Sequence, residues 1–354
     1  MENKKKVIEV LDKLGLDAVL VSDGYNMRYL SGFSGETGYL FISRNKSVII
    51  TDFRYTIQAK SESKDFEVVE ISKGYMEPIN ELIASEQVKT LGFEDGSMIH
   101  RSFSGLKEKL HVEKLVPVNE ELNDLRIIKT PYELECIRKA EEIGDIAFSK
   151  ILDIIKPGMT ELEVAAHIEF LMKTNGADKL SFDTIACSGI NTSMPHATPS
   201  NKKIENGDFL TMDFGCKYNG YCSDMTRTIV VGKASDEQKK VYNTVLEAQL
   251  AALDYIKAGY QGKEIDKVAR DIIYKAGYEG CFGHGLGHSV GLFIHESPRL
   301  SPTEEKVIRA CMTETVEPGI YIEGFGGVRI EDLVQVTEDG HINFTKSDKK
   351  LIEL

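Results

Sequence analysis

From residue 130 onward the apolar positions fall on a helical period with clear start and stop signals. Leu134, Ile137, Ala140, Ile143, Ala147, Ile151 and Ile154 recur every three or four residues and so share one helix face. Thr130 and Glu133 form a capping-box pair with Pro131 at the first helical position, and Lys156-Pro157-Gly158 ends the run. Thr160 and Glu163 open a second helix that ends near Asn175-Gly176. Ser235 and Gln238 open a third, with Val241, Val245, Ala248, Ala252 and Ile256 on one face. A fourth starts at about Lys263 and carries Ile265, Val268 and Ile272 toward Gly277. Residues 1 to about 125 have a different texture. There "DAVLVS", "YLFIS" and "KSVIITD" read as strands, "RYTIQAKSES" and "SFSGLKEKL" as helices, and the N-terminal "MENKKKVIEVLDKLG" as a charged amphipathic helix. "SGFSGETGY" (31–39) reads as a turn, because a strand rather than a helix follows it.

The four helices come as two pairs separated by about 104 residues, and each pair precedes β-rich sequence with acids inside apolar runs. Asp213 and Glu317 lie 104 positions apart, Asp224 and Glu331 107. "DFG" in the first half is matched by "EPG" in the second. The pattern implies a duplicated half-domain in which each copy contributes two carboxylates to one centre.

In "FLTMDFGCKYNGYCSDMTRTIVV" (209–231), two β-like runs flank Asn219-Gly220, a strong hairpin signal. Centring the turn there makes paired residue numbers sum to 439. Asp213 then faces Thr226 and Asp224 faces Gly215, so the two acids are diagonal neighbours on one sheet face. Two acids so close disfavour each other's ionisation, and burial adds to the cost. Either that face is wet, or Arg227 and Lys217 neutralise it, or the acids hold cations. The second pair, in "TVEPGIYI" and "GVRIEDLVQV", favours cations. Four carboxylates and a neutral His288 balance two divalent ions. An oxygen-dominated set suits Mn²⁺ foremost, with Co²⁺ or Zn²⁺ as alternatives. Two such ions, about 3.5–4 Å apart, would hold a hydroxide as nucleophile.

The composition narrows the partners. The 354 residues, 42% hydrophobic and 28% charged, fit two globular domains. A net charge of −13 argues against nucleic acid or an anionic membrane as partner. With no apolar run near the roughly 20 residues of a membrane span and no signal-peptide core, a cytoplasmic protein is expected. The six cysteines (Cys136, Cys187, Cys216, Cys222, Cys281, Cys311) show no C-x-x-C and no regular spacing, so free thiols are expected.

Three of the eight histidines (His284, His288, His295) fall within "HGLGHSVGLFIHE". That stretch also contains Gly287-His288-Ser289-Val290-Gly291, which fits the G-x-S-x-G elbow of serine hydrolases. An elbow requires a core strand before it and a helix after it. Here a glycine-rich stretch precedes and "GLFIHESP" follows, so Ser289 is disfavoured as a nucleophile.

"HGLGHSVGLFIHESP", "MDFGCKYNGYCSDMTRT", "TVEPGIYI" and "GGVRIED" together resemble the motif set of the aminopeptidase P/prolidase family of dinuclear metallopeptidases. The resemblance covers nearly the whole chain. "YLSGFSGETGYLFIS…TDFRYTIQAK" is similar to the family's non-catalytic N-terminal domain, and "RIIKTPYELECIRKAEEIGDIAF" to its domain junction. It implies an α+β protein. A smaller α/β creatinase-type domain (1–125) would precede a catalytic pita-bread domain (126–354) with pseudo-twofold duplicated halves. It further implies metal ligands Asp213, Asp224, His288, Glu317 and Glu331, with Asp224 and Glu331 bridging. Glu317 would double as the proton-transferring group and His295 would stabilise the tetrahedral intermediate. His196 and His284 would contact substrate, Arg329 would sit beside the bridging glutamate, and Tyr321 would line the site. For His196 and His284 the plain alternative is a histidine that only satisfies core hydrogen bonds.

The implied activity is release of an N-terminal residue preceding proline, by an Xaa-Pro aminopeptidase acting as a homodimer on peptides with proline second. An Xaa-Pro dipeptidase (prolidase) is the near alternative. From other classes, a serine hydrolase using Ser289 and a metal-free pita-bread binding module remain, although the latter predicts missing carboxylates. One departure stands out: "ACMTETVEPG" replaces the family's usual G-M-x-[aliphatic]-T run. Cys311 takes the place of a common glycine, and Glu314 is expected to point to solvent or to the dimer surface.

Overall fold

The computed structural model describes residues 2–354; Met1, the first residue of the expected N-terminal helix, lies outside the described residues. The chain divides into two units, Met1–Arg126 and Ile127–Leu354.

In the first unit, β1 (Ala18–Val21), β2 (Tyr39–Ser43), β3 (Ser47–Thr51), β4 (Glu67–Glu70), β5 (Thr90–Phe93) and β6 (Lys114–Pro117) form one sheet in the order β4-β3-β2-β1-β5-β6. The central pairs are antiparallel and the outer ones parallel. Its helices are α1 (Glu2–Leu14), α2 (Gly24–Ser31), α3 (Thr56–Glu62), α4 (Met76–Ser85), α5 (His100–Lys109) and α6 (Asn119–Asp124). The strands read from the sequence are three of the four inner ones, β1, β2 and β3; the short buried β5 ("TLGF") was not among them. β4 ("EVVE") and β6 ("KLVP") are the sheet's edges, and their charged flanks weaken the apolar signal.

In the second unit, α7 (Pro131–Leu152), α8 (Glu161–Thr174) and α9 (Asp236–Tyr255) each start at the expected capping box, with both reciprocal hydrogen bonds formed. Each N-cap contributes about 1 kcal/mol. At α10 (Gly262–Lys275) the Glu264 side chain accepts from the Gln261 N–H (2.7 Å), half of a capping box, which a search for Ser, Thr, Asp or Asn passes over. Between the helix pairs lie β7 (Lys179–Leu180), β8 (Ile185–Ser188), β9 (Phe209–Phe214), β10 (Cys216–Tyr218), β11 (Tyr221–Cys222) and β12 (Met225–Val230), in sheets β11-β10-β7 and β12-β9-β8. After α10 come β13 (Gly287–Ser289), β14 (Glu296–Leu300), β15 (Thr313–Val316), β16 (Gly319–Ile322), β17 (Gly326–Arg329), β18 (Asp332–Val336) and β19 (His341–Asn343). These form a β14-β13-β15-β18-β19 sheet and a β16-β17 ribbon.

Each helix pair covers its own core. Ala140, Ile143 and Ile168 pack with Leu210, Met212 and Phe214; Val241, Val245 and Ile265 pack with Val316, Val328 and Val334. The duplication inferred from spacing is thus a duplication of packing units. The central hairpin keeps the expected register, with Asp213 opposite Thr226 and Lys217 opposite Cys222. Asn219 and Gly220 both have positive φ (48° and 80°), as a type I′ turn requires. Opposite Asp224, Gly215 approaches so closely that a Cβ would lie 1.9 Å from the Ser223 carbonyl oxygen, so the chain turns there only with glycine.

Three expectations need correction. "GVRIEDLVQV" is not one strand: β17 and β18 belong to different sheets, and Ile330-Glu331 is the break between them. Glu314 does not reach solvent. It is 0% exposed on β15, paired with Ser289 and Val334, and neither carboxylate oxygen has a hydrogen-bond partner. Arg227 does not neutralise the hairpin acids, because its guanidinium is ion-paired with Asp332 at 2.8 Å. All six cysteines are free. Among the described residues, no helix is long and apolar enough to cross a membrane.

Candidate active site

The acids of both halves meet in one place. Asp213 comes from β9, Asp224 from the residue before β12 and Glu331 from the β17–β18 break. Carboxylate oxygens of the three lie within 4.8 Å of one another. Glu317, just past β15, and His288 of β13 complete the cluster: His288 Nε2 is 3.5 Å from Asp224 Oδ2 and 3.5 Å from Glu317 Oε1. All five line a single cavity of about 480 Å³.

Arg329, paired with Asp213, offsets only part of this negative charge. Burial, reinforced by the neighbouring carboxylates, pushes Asp224 and Glu331 well above the usual range. Burial also raises Glu317, to about 7. Asp213 Oδ1 and Glu331 Oε1 are buried with no hydrogen-bond donor. His288 is more telling still. Its Nδ1 lies 3.1 Å from the Ser289 carbonyl, which can only accept, so Nδ1 carries the hydrogen. Burial holds this imidazole neutral, with a pKa lowered to about 3. Its Nε2 lone pair therefore faces two carboxylates, an arrangement that is repulsive unless a cation lies between them. Orphaned oxygens, a fixed tautomer and an oxygen-rich donor set fit a divalent metal centre.

Arg329 organises the first wall. It donates to Asp213 Oδ2 at 2.6 Å, to the Tyr321 hydroxyl at 2.8 Å and to the Pro195 carbonyl at 3.2 Å. Thr226, cross-strand from Asp213 and 0% exposed, accepts from Arg329 Nε (3.1 Å) and donates to Glu331 Oε2 (2.6 Å). One hydroxyl thus fixes the arginine and the glutamate together. His284 donates from Nδ1 to the Gly285 carbonyl (2.8 Å), leaving Nε2 to accept from Tyr321 (2.8 Å). Burial lowers its pKa to about 4. Both its nitrogens are occupied, although its ring lines the cavity. Tyr321 is not among the lining residues; it stands behind Arg329 and His284.

His196 and His295 line the cavity and are both exposed. The His295 ring stands 4.6 Å from that of His288 at 79°. Burial, and then the charge of Arg299, lower the pKa of His295. The sequence reading did not single out Arg299, Phe182, Ile185 or Pro195, which also line the cavity. Arg299 stands in "HESPRL", one residue past the motif stretch, and its alternation with Ser297 along β14 was the available signal. Ser289 is 0% exposed, outside the lining, with its hydroxyl 3.0 Å from Lys129 Nζ. Lys129 is in turn ion-paired with Glu296 at 3.2 Å.

Comparison with known proteins follows the same two-part division. Residues 135–338 match metallopeptidase family M24, and residues 4–128 match the creatinase/prolidase N-terminal domain. The chain is 42% identical over 354 residues to an Xaa-Pro dipeptidase of Pyrococcus horikoshii, covering 99% of each. It superimposes on the structure of an Xaa-Pro dipeptidase from Bacillus anthracis with a TM-score of 0.98 at 42% identity, covering 100% of this chain and 99% of that one. On an X-Pro aminopeptidase from Thermotoga maritima it does so with a TM-score of 0.91 at 38% identity, covering 97% and 99%.

Proposed function

We propose, from the premise that this chain belongs to metallopeptidase family M24, that it hydrolyses the bond between an N-terminal residue and proline. The observation that carries this reading is one cluster of buried carboxylates, in which Asp213 Oδ1 and Glu331 Oε1 have no donor while Asp224 and Glu317 face the lone pair of a neutral His288. Asp213, Asp224, His288, Glu317 and Glu331 would hold two divalent ions, Mn²⁺ foremost. When bound, the ions acidify a water and polarise the scissile carbonyl.

The chain's own groups do the rest. Glu317, which lines the cavity beside His288, would take a proton from water and pass it to the prolyl nitrogen. Thr315 donates to Glu317 Oε1 at 3.0 Å and holds the other face of that carboxylate toward the cleft. His295, exposed beside His288, is placed to donate to the developing oxyanion. His196 contacts the substrate from the opposite loop. Arg329 orients Asp213, with the His284–Tyr321 pair behind it. An Xaa-Pro bond has no N–H, and recognition here does not need one: Phe182, Ile185 and Pro195 offer apolar surface to the pyrrolidine ring.

Among the described residues the Arg299 side chain has neither a hydrogen bond nor an ion pair, yet it lines the cavity close enough to depress His295 ionisation. A free guanidinium complements the carboxylate of a dipeptide. With two relatives named dipeptidases, this favours the dipeptide over the longer substrates of an aminopeptidase. The aminopeptidase reading is kept by the Thermotoga maritima structure's name. Purified protein with Mn²⁺ should cleave an Xaa-Pro dipeptide faster than an Xaa-Pro-Yaa tripeptide, and both far faster than an Xaa-Ala dipeptide. Equal turnover of Xaa-Ala would refute the proline reading. Preference for the tripeptide would return the chain to the aminopeptidases.

A further inference from the structure

Glu161, the first residue of α8, is 0% exposed and makes no ion pair among the described residues. Donors surround its charge instead. Oε1 accepts from the Ser188 N–H (2.7 Å), the Ser188 hydroxyl (3.0 Å) and the Asn191 side-chain amide (3.0 Å). Oε2 accepts from the Ser200 N–H (3.1 Å) and the Ser200 hydroxyl (2.6 Å). Above it, the first N–H groups of α8 donate to the carbonyls of Lys202 (3.1 Å) and Ser200 (3.2 Å). Lys202 Nζ ties the Ser188 hydroxyl (2.9 Å) to Asp208 (2.8 Å). One buried carboxylate therefore joins the two ends of the segment 188–200.

That segment reaches the active site. Its Thr192 hydroxyl accepts from the Gly327 N–H (2.7 Å), its Pro195 carbonyl accepts from Arg329 (3.2 Å), and its His196 lines the cavity. The His196 ring has no hydrogen bond of its own among the described residues, so the backbone alone sets its position. Holding each backbone residue in place costs about 1–2 kcal/mol of entropy, so two mid-segment contacts leave such a segment dependent on a tied base as well. The other half uses a parallel device. Asp266 of α10 accepts from the Leu286 N–H (3.0 Å) and pairs with Arg270 (2.7 Å), which donates to the carbonyls of Phe282 (2.8 Å) and His284 (2.7 Å). In both halves a buried acid on the second helix holds a histidine-bearing segment. Only in the first is the acid bonded to both ends of a loop whose histidine has no other support.

We propose that Glu161 is a positioning residue that clamps residues 188–200 at both ends and thereby sets His196 against the substrate; this rests on the Xaa-Pro peptidase reading above. In Glu161→Gln the amide oxygen can keep the Ser188 end, but the amide nitrogen then opposes the Ser200 N–H, so that end is released. The test measures kcat and KM for an Xaa-Pro dipeptide with Mn²⁺ for Glu161→Gln and Ser200→Ala, each in the wild-type and His196→Ala backgrounds. Amide hydrogen exchange of 189–199 is followed in parallel. Loss of one or two charge-assisted bonds should lower kcat/KM about tenfold to a hundredfold for Glu161→Gln, and less for Ser200→Ala. Neither variant should lower it further once His196 is absent, and exchange should quicken in 189–199 but not in α9. The same factor in both backgrounds, or unchanged exchange, overturns the proposal. Should Glu161→Gln fail to fold, Ser200→Ala alone decides by the same criteria. Wild-type protein that cleaves no Xaa-Pro peptide would refute the functional reading instead, while the exchange arm still decides whether Glu161 holds the loop.

Discussion

Replacing Glu314 by Ile should stabilise the protein, by an amount that grows with pH. The side chain is 0% exposed within β15, and neither oxygen is hydrogen-bonded. Burying unsatisfied polar groups costs about 1–3 kcal/mol on mutational scales. Isoleucine has a similar volume and suits a strand. Against this stands the loss of attraction to Lys129, the largest effect opposing burial at this carboxyl. Lys129 keeps its bonds to Ser289 and Glu296, so the charge is not stranded. A net gain of about 2 kcal/mol at pH 7.5 is expected, which for a domain of this size raises Tm by about 4–8 °C.

The pH dependence tests the cause. Burial pushes the Glu314 carboxyl well above its ordinary value of 4.5, so the folded chain keeps a proton that the unfolded chain releases. The parent's stability from this group is complete below about pH 4.5 and falls as pH rises toward the folded value. Within that window the loss is about 1.4 kcal/mol per pH unit. Glu314→Ile lacks this slope, while the carboxylates of the cavity are common to both proteins and cancel in the difference. Calorimetric or urea unfolding at pH 5 and 7.5, without metal and with Mn²⁺, should show the gap widening with pH. A variant less stable than its parent at pH 7.5, or a gap independent of pH, would refute the reasoning and mark Glu314 as a charge with compensation of its own.

Asp224→Asn should abolish Mn²⁺ loading and peptidase activity together, as metal titration and turnover would show; retained turnover would remove Asp224 from the ligand set. Arg299→Met should raise KM for an Xaa-Pro dipeptide at least tenfold, yet change it little for the C-terminally amidated dipeptide, which steady-state kinetics on the two substrates would reveal. Cys311 has a φ of 66°, where a side chain costs about 1–2 kcal/mol and glycine almost nothing. Cys311→Gly should therefore raise Tm by about 2–4 °C, after allowing for the greater entropy glycine gives the unfolded chain.

The same position shows what kind of information the sequence carried. That Cys311 stood where glycine is usual was visible in the chain; the reason, a left-handed backbone, is a local property of the fold. The same holds for the capping boxes at Thr130, Thr160 and Ser235 and for the Asn219-Gly220 register, because their partners lie within a few to about twenty residues. Periodicity reports such pairs faithfully. It fails where a group's environment comes from strands distant in sequence. Glu314 looked like an exposed charge because nothing within its own strand shows that Ser289 and Val334 flank it on both sides.

The pairing of charges at the centre fails for the same reason, and it matters more. Arg227 is next to Thr226 in sequence and one residue from the position facing Asp213, so a local reading makes it the natural counterion. In the fold it serves Asp332, and Arg329, more than a hundred residues downstream of Asp213, takes its place. The exchange has a chemical logic. An arginine on the hairpin itself would neutralise Asp213 before the halves met. An arginine supplied by the second half reaches Asp213 only when the halves have met, and the Thr226 hydroxyl then bonds both that arginine and Glu331. The carboxylates were legible because acids inside apolar β-runs are rare and costly. The residue that bonds both Arg329 and Glu331 beside them is a single threonine, Thr226, and in sequence it looks like any other strand residue.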